Sequence, residues 1–349
     1  MHTPLTPADV EIDEHGLPFS PTYGDVYHPQ AGAIAQAQHV FLAGNELPRR
    51  WQGRTRYTLV ETGFGLGHNF LATWQAWRSD PQRPARLHYV SIDKHPVRTD
   101  TLRALLSRSA TGALEALAQQ LLAQWPPLVS GMHRLVFEHG QVELLLCLGD
   151  VASALRQLTL DADAFYLDGF APARNPAMWH SALYPQLARL ARTGATLATW
   201  SASHRVRADL AACGFTVQAQ PGFGGKREMT VAHFSPRHTP RFSAPWARGD
   251  DTVQHRHALV VGAGLAGCAT VAALAAQGWH STLIDAHAHI AAGASGNARG
   301  VFHGVVHAAD NPHARLGRAA ALELERALAG LAAHTAALQW SRGLLRLAP

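Results

Sequence analysis

Short apolar runs recur along this chain, and most are followed by a stretch with helical spacing. "YTLVET" (57–62), "LHYVSID" (87–93), "AFYLD" (164–168), "ATLATW" (195–200) and "EMTVAHF" (228–234) have the length and composition of strands. "NFLATWQAW" and segments near 96–109 and 112–124 carry helical spacing. "HRLVFEHGQVELLLCLGD" (133–150) reads as two strands joined at His139-Gly140, the second ending on Asp150. Strands alternating with helices predict an α/β fold built on a doubly wound parallel sheet.

The pattern breaks between 235 and 256. "SPRHTPRFSAPWARGDDTVQHR" holds three prolines, many charges and no period, which is linker composition. A new strand, turn and helix follow in "HALVVGAGLAGCATVAALAAQGWHSTLID". The expected organisation is a first domain over 1–236, a linker over 237–256 and a second domain over 257–349. About ninety residues are too few for a dinucleotide-binding fold plus a substrate domain of ordinary size. The second domain is therefore expected to be incomplete or vestigial.

Composition narrows the class. With 47% apolar and 16% charged residues the chain can bury a sizeable core, which argues against long disorder. "MHTPLTPADVEIDEHG" has neither a basic start nor an apolar stretch, so no secretory signal is expected. No apolar run reaches the roughly 18 residues of a membrane span. Cys147, Cys213 and Cys268 show no CxxC spacing, the usage of a reduced cytoplasmic protein without structural zinc. The His-x-His pair in "DAHAHI" has no third ligand nearby and reads as a solvated loop, so no metal is expected. Thirty Lys and Arg against 25 acids give +5, a balance that permits a nucleic-acid substrate without requiring one.

Two glycine turns carry the candidate chemistry. "ETGFGLGHNF" sets Gly63, Gly65 and Gly67 between a strand and a helix, where the backbone can turn sharply and approach a ligand. Asp93 ends the second strand, placed to accept ribose hydroxyls, and Asp150 follows a later strand, placed to face an adenine amino group. Together these features match the layout of a class I (Rossmann-like) methyltransferase that uses S-adenosylmethionine. In "VVGAGLAG", Gly262, Gly264 and Gly267 fit G-x-G-x-x-G between a strand and an alanine-rich helix, and Asp285 closes the next strand. The small-residue loop "GASGNARG" (293–300), with Asn297, favours FAD over NAD in this second, Rossmann-type unit.

The residues also carry a family likeness. "DVYH", "HVFLAGN", "ETGFGLGHNFL", "LDGFAPARNPAMW", "LARLARTGATLATW", "CGFTVQ", "GFGGKREM", "SAPW" and "GASGN" resemble the MnmC family of bifunctional tRNA wobble-uridine modification enzymes along nearly the whole chain. The resemblance implies an S-adenosylmethionine-dependent methyltransferase domain followed by a FAD-dependent oxidoreductase domain, with tRNA as substrate. It implies that the flavin domain removes a carboxymethyl group from 5-carboxymethylaminomethyl-2-thiouridine and that the first domain methylates the resulting 5-aminomethyl group. Leu66 and His68 stand where the family has Thr and Leu. The family's flavin domain is several times longer than 257–349, which puts oxidoreductase activity of this chain in doubt. Neither a membrane nor an obligate protein partner is implied.

Methyl transfer to an amine needs a neutral nitrogen aligned with the donor, and a nearby carboxylate can orient it and stabilise its developing charge. Asp168, exposed by the turn "GFAP", is the candidate. The bland alternative has it capping the helix near 176 or pairing with Arg174. Phe170 is expected to stack on the uracil or wall the pocket, and Arg174, Arg205, Lys226 and Arg227 to form a phosphate-facing rim. Trp179 and Trp200 read as core. Glu61 and Glu228 lie near strand ends without an assigned role. Two other functions stay open: a flavin-dependent amine or amino-acid oxidase with a non-catalytic first domain, and a non-enzymatic tRNA-binding protein. The short second unit counts against the first, and the intact glycine turns with their acids count against the second.

Overall fold

The computed structural model describes residues 5–236, 256–304, 307 and 310–332. These residues fall into two compact units, 5–236 in one and 256–332 in the other. The linker expected over 237–256 therefore lies, but for Arg256, outside the described residues.

The first unit opens with three very short strands, β1 (Glu11–Ile12), β2 (Pro18–Ser20) and β3 (Asp25–Val26), which pair in that order. A one-turn helix α1 (Ala33–Gln36) continues as a π-helical turn through Leu42. The main sheet then alternates with helices: β4 (Arg56–Thr62), α2 (His68–Ser79), β5 (Arg86–Asp93), α3 (Thr99–Ser109) and α4 (Ala113–Ala123). It continues through β6 (Gly131–Phe137), β7 (Val142–Leu148), α5 (Val151–Gln157), β8 (Ala162–Leu167), α6 (Tyr184–Leu190), β9 (Ala191–Thr199), α7 (His204–Ala212), β10 (Phe215–Pro221) and β11 (Glu228–Phe234). The strand order is β10-β11-β9-β8-β4-β5-β7-β6. The pairs β9-β8, β8-β4, β4-β5 and β5-β7 are parallel, while β6 at one edge and the β11-β10 hairpin at the other are antiparallel.

Covered faces explain the apolar strands. Every residue of β8 is buried, Asp163 included. Tyr57, Leu59, Ala164 and Tyr166 enter the core on one face, with α2 and α4, and Val60, Phe165 and Leu167 enter the core on the other, with α6 and α7. This is the period of two expected of strands buried on both sides. Sheet order reverses between β4 and β8, so the loops after these strands diverge and leave a crevice at their carboxyl ends.

β7 and β10 differ from expectation. β7 ends at Leu148, two residues before Asp150, because Asp150 begins the next helix as its N-cap. β10 does not stand out in the sequence: only Phe215 of "FTVQAQP" is fully buried, since the strand lies at the sheet's edge.

The second unit holds β12 (His257–Val261), α8 (Leu265–Ala276), β13 (His280–Ile284) and α9 (Pro312–Ala332). β12 and β13 pair in parallel. Leu259 and Val261, on one face of β12, are 63% and 79% exposed. Among the described residues no helix is long and apolar enough to cross a membrane.

Candidate active site

A cavity of about 410 Å³ opens at the carboxyl ends of β4, β5 and β8, where the sheet order reverses. Its lining brings together Gly63, Gly65, Asp93, Asp168, Phe170 and Lys226.

The turn after β4 requires its glycines. Gly63, Gly65 and Gly67 have φ of 78°, 54° and 78°, a region that side chains rarely tolerate. A Cβ at Gly63 would stand 3.0 Å from the Asp168 carbonyl oxygen. Gly67 does not line the cavity but is the N-cap of α2, whose first residues, His68 and Asn69, do. Asp93 clamps this turn, its two carboxylate oxygens accepting from the Gly65 and His95 amides at 2.8 Å each. Burial pushes its pKa up while these backbone donors pull it down. Each oxygen keeps a second lone pair for a ligand hydroxyl. The backbone cradle and its acid thus fit the ribose of S-adenosylmethionine.

Asp150 stands outside the lining. Its carboxylate accepts from the Ser153 amide at 3.0 Å and so caps α5, a local role that the expected adenine contact did not include.

Asp168 follows β8 directly. Its Oδ2 accepts from the Asn69 side-chain amide and its Oδ1 from the Gly169 backbone, both at 2.8 Å. Neither alternative reading of this acid describes it, since Asn175 is the residue before the 176–179 turn and the Arg174 guanidinium lies against Gly24, outside the lining that holds Asp168. Burial pushes the Asp168 carboxyl up to about 6, against the pull of Gly169, Asn69, Trp200 and Lys226. At neutral pH it is therefore mostly ionised and close to the range of a useful proton acceptor. The turn is tied from behind: Trp200 donates its indole N–H to the Gly169 carbonyl at 3.2 Å and Trp179 to that of Phe170 at 2.8 Å. Gly169 has a φ of 140°, and a Cβ there would meet the Met178 sulfur at 2.8 Å.

Phe170 is held within an aromatic wall. Tyr23 stacks on it with centroids 4.7 Å apart, and Tyr27 meets it edge-on at 5.1 Å. Lys226 sets its ammonium 3.4 Å from the Trp200 ring centroid. Desolvation lowers the Lys226 pKa, while Asp25 and Asp168 raise it. The expected basic rim does not assemble around the cavity. Arg174 and Arg227 are exposed outside the lining, with Arg174 lying against Gly24, and Arg205 is in an i,i+4 pair with Asp209 at 3.9 Å. Glu228 pairs with Arg207 at 3.1 Å.

Sequence reasoning missed Tyr23, Tyr27, His68 and Asn69. The two tyrosines come from a segment with no periodicity, and only tertiary contact brings them to Phe170. His68 is buried, its Nε2 2.8 Å from the Ser109 hydroxyl, and desolvation lowers its pKa to about 3, so it is neutral. Asn69 lies beside the recognised glycines, but nothing in its spacing points to Asp168.

The second unit is consistent with a dinucleotide turn of its own. Gly262 has a φ of 100°, and a Cβ at Gly267 would overlap the Gly262 carbonyl oxygen. Asp285 accepts from the Ala263 amide at 2.6 Å, and its backbone and His287 hydrogen bonds hold its pKa down at about 2. Gly264 is the N-cap of α8, where the Ser295 hydroxyl of the small-residue loop accepts from the Leu265 amide at 3.0 Å. A glycine turn at a helix N-terminus, where backbone N–H groups and the helix dipole favour an anion, fits the pyrophosphate of FAD.

Comparison with known proteins gives the same two-part division. Residues 112–235 match a family model described as S-adenosyl-L-methionine-dependent methyltransferase, and 257–349 match one described as FAD dependent oxidoreductase. The tRNA 5-methylaminomethyl-2-thiouridine biosynthesis bifunctional protein MnmC of Methylibium petroleiphilum is 53% identical over 328 residues, 94% of this chain and 49% of that protein. The protein of that name from Cupriavidus metallidurans is 51% identical over 349 residues, 98% of this chain and 51% of its own. This chain thus spans about half the length of the curated relatives it matches. A crystal structure described as MNMC2 from Aquifex aeolicus matches with a TM-score of 0.52 at 23% identity, covering 67% of this chain and 73% of that one, which shows a shared fold.

Proposed function

We propose that this chain, which belongs to the MnmC family, methylates the amine of 5-aminomethyl-2-thiouridine at the wobble position of tRNA, giving 5-methylaminomethyl-2-thiouridine. The observation that carries the reading is the placement of Asp168: an ionisable carboxylate, held at two points, in the same cavity as the glycine turn and Asp93. In this reading residues 1–236 are the methyltransferase domain, 237–256 the linker and 257–349 the beginning of the oxidoreductase domain.

S-adenosylmethionine supplies an electrophilic methyl group when bound. Gly63 and Gly65 would hold it along the backbone, in a turn that Gly67 closes as the cap of α2, and Asp93 its ribose. Asp150, as the cap of α5, would contribute through its remaining lone pairs at the adenine end. Asp168 accepts a hydrogen bond from the substrate amine, which aims the nitrogen lone pair into the cavity. The new nitrogen–carbon bond would be matched by breaking of the donor's sulfur–methyl bond, which leaves a neutral thioether, and Asp168 is placed to take the proton that the nitrogen loses or pass it to water. Two fixed donors keep the carboxylate from turning away, the preorganisation that makes such a group effective. Phe170, braced by Tyr23 and Tyr27, walls the base-binding side, while Lys226 offsets the charge of Asp168 and Asp25. Arg174 and Arg227, exposed beyond the cavity, would meet tRNA phosphates farther along the substrate.

In the second unit Gly262, Gly264, Gly267 and Asp285 would hold the adenosine and pyrophosphate of FAD. We assign the preceding step, removal of the carboxymethyl group from 5-carboxymethylaminomethyl-2-thiouridine, to the FAD-dependent oxidoreductase domain that 257–349 match. A tRNA substrate supports the reading of a cytoplasmic protein.

Asp168→Ala tests the assignment. Methylation of aminomethyl-uridine tRNA should fall by about a hundredfold or more, with S-adenosylmethionine affinity by calorimetry changed no more than about twofold. Retained activity would show that another group handles the amine.

A further inference from the structure

Behind the cavity lies a second carboxyl group that the reaction as described does not use. Glu61, on β4, is fully buried and does not line the cavity. Its Oε1 accepts from the Asn69 side-chain amide at 3.0 Å and its Oε2 from the Ser91 hydroxyl at 2.6 Å. The same Asn69 nitrogen donates to Asp168 at 2.8 Å. Asn69 is itself buried, at 7% exposure. One amide nitrogen thus spans two carboxyl groups, one hydrogen to each, and turning it over would set its carbonyl oxygen against both.

We propose that Glu61 is a positioning residue for the chemistry at Asp168, acting through Asn69, whose amide it holds turned toward the Asp168 carboxylate. The inference rests on the methyltransferase reading of the site and deepens it.

The surroundings of the two acids set their roles apart. Ser91, Asn69, the buried Tyr89 hydroxyl and, farther off, Asp168 surround Glu61. Burial pushes Glu61 up to about 8, outweighing the donors and helped by the Asp168 charge. Asp168 faces Asn69, Gly169, Trp200 and the Lys226 ammonium and stands at about 6. Near neutral pH Glu61 is mostly protonated, its Oε2–H then donating to the Ser91 hydroxyl instead of accepting from it, and Asp168 is the ionised acid at the amine. A neutral Glu61 explains how a second carboxyl sits behind the site without repelling the first.

The test uses the full chain in four variants, Asn69→Ala, Glu61→Leu, the double variant and Glu61→Gln. Two readouts are taken: carbon-13 NMR titration of the Asp168 carboxyl and the pH profile of methylation. Asn69→Ala removes a donor to Asp168, so the titration midpoint and the acid limb of kcat should both move to higher pH. Glu61→Leu should move them the same way, lowering kcat by about tenfold or more while KM and cofactor affinity stay within about twofold. The double variant should match Asn69→Ala alone, because Glu61 acts only through that amide. Glu61→Gln can still accept from Asn69 and donate to Ser91, and should restore both readouts. The proposal is overturned if folded Glu61→Leu leaves the Asp168 midpoint and kcat unchanged, or if its effect multiplies with that of Asn69→Ala. Should Glu61→Leu fail to fold, a tenfold loss in folded Glu61→Gln overturns it, and a wild-type midpoint and rate in that variant support it. If the wild type transfers no methyl group to tRNA, the functional reading falls, while the Asp168 titrations still decide the coupling.

Discussion

At the scale of single residues, the account turns on groups whose local duty and chemical duty coincide. Gly65 is the plainest case. Its φ of 54° and its amide hydrogen bond to Asp93 fix the crest of the turn on the cavity floor. Gly65→Val should abolish S-adenosylmethionine binding by calorimetry while the far-ultraviolet circular dichroism of the sheet persists, because valine is strained at this φ and its side chain enters the cavity. Glu61 gives a stability prediction with a definite sign. Its pKa is raised on folding from 4.5 to about 8, so the protonated form is the one folding favours. The stability it contributes is full below its unfolded pKa and is lost as pH rises toward 8. Urea unfolding should show stability declining across this window, and Glu61→Gln, which cannot ionise, should flatten the decline. An unchanged slope would mean that Glu61 is already ionised in the folded chain.

At the scale of elements, the positions of Asp93 and Asp168 follow from strands that the sequence displays openly. β5 and β8 are buried on both faces, so their apolar runs stand out, and the polar residue that ends each run must emerge where the sheet meets solvent. The glycine turn was legible for the same reason, being bracketed by a clear strand and helix. Asp150 was legible as a strand-end acid but not as a helix cap, since the two residues after Leu148 carry no sign of where the pairing stops. β1 to β3 run only two or three residues each, too short for a period to show, yet Tyr23 and Tyr27 beside them wall the site. Likewise the basic rim expected from "GFGGKREM" separates in space within the turn that precedes β11: Lys226 lines the cavity and Arg227 does not. The dependence of Asp168 on its strand can be measured. Phe165→Ala, at a fully buried position of β8, should cost about 3–5 kcal/mol in urea unfolding. A cost near zero would contradict the packing described for that face.

At the scale of the whole molecule, the two units carry unlike sites, and the first should be self-sufficient. It has its own two-faced core, and every described residue that lines the cavity belongs to it. A protein of residues 1–236 should therefore fold and bind S-adenosylmethionine with the affinity of the full chain, within about twofold. Loss of binding on removing the second unit would show that the boundary is misplaced. The sequence made the two-unit plan visible because both glycine turns follow strong strands, whereas the reach of the cavity into the N-terminal segment depends on contacts between residues far apart in the chain. The central claim is that this cavity transfers a methyl group to tRNA, and one assay meets it directly. The chain is incubated with methyl-labelled S-adenosylmethionine and tRNA that carries 5-aminomethyl-2-thiouridine. The account predicts label in the wobble nucleoside as 5-methylaminomethyl-2-thiouridine, and label found only on protein or small molecules would contradict it.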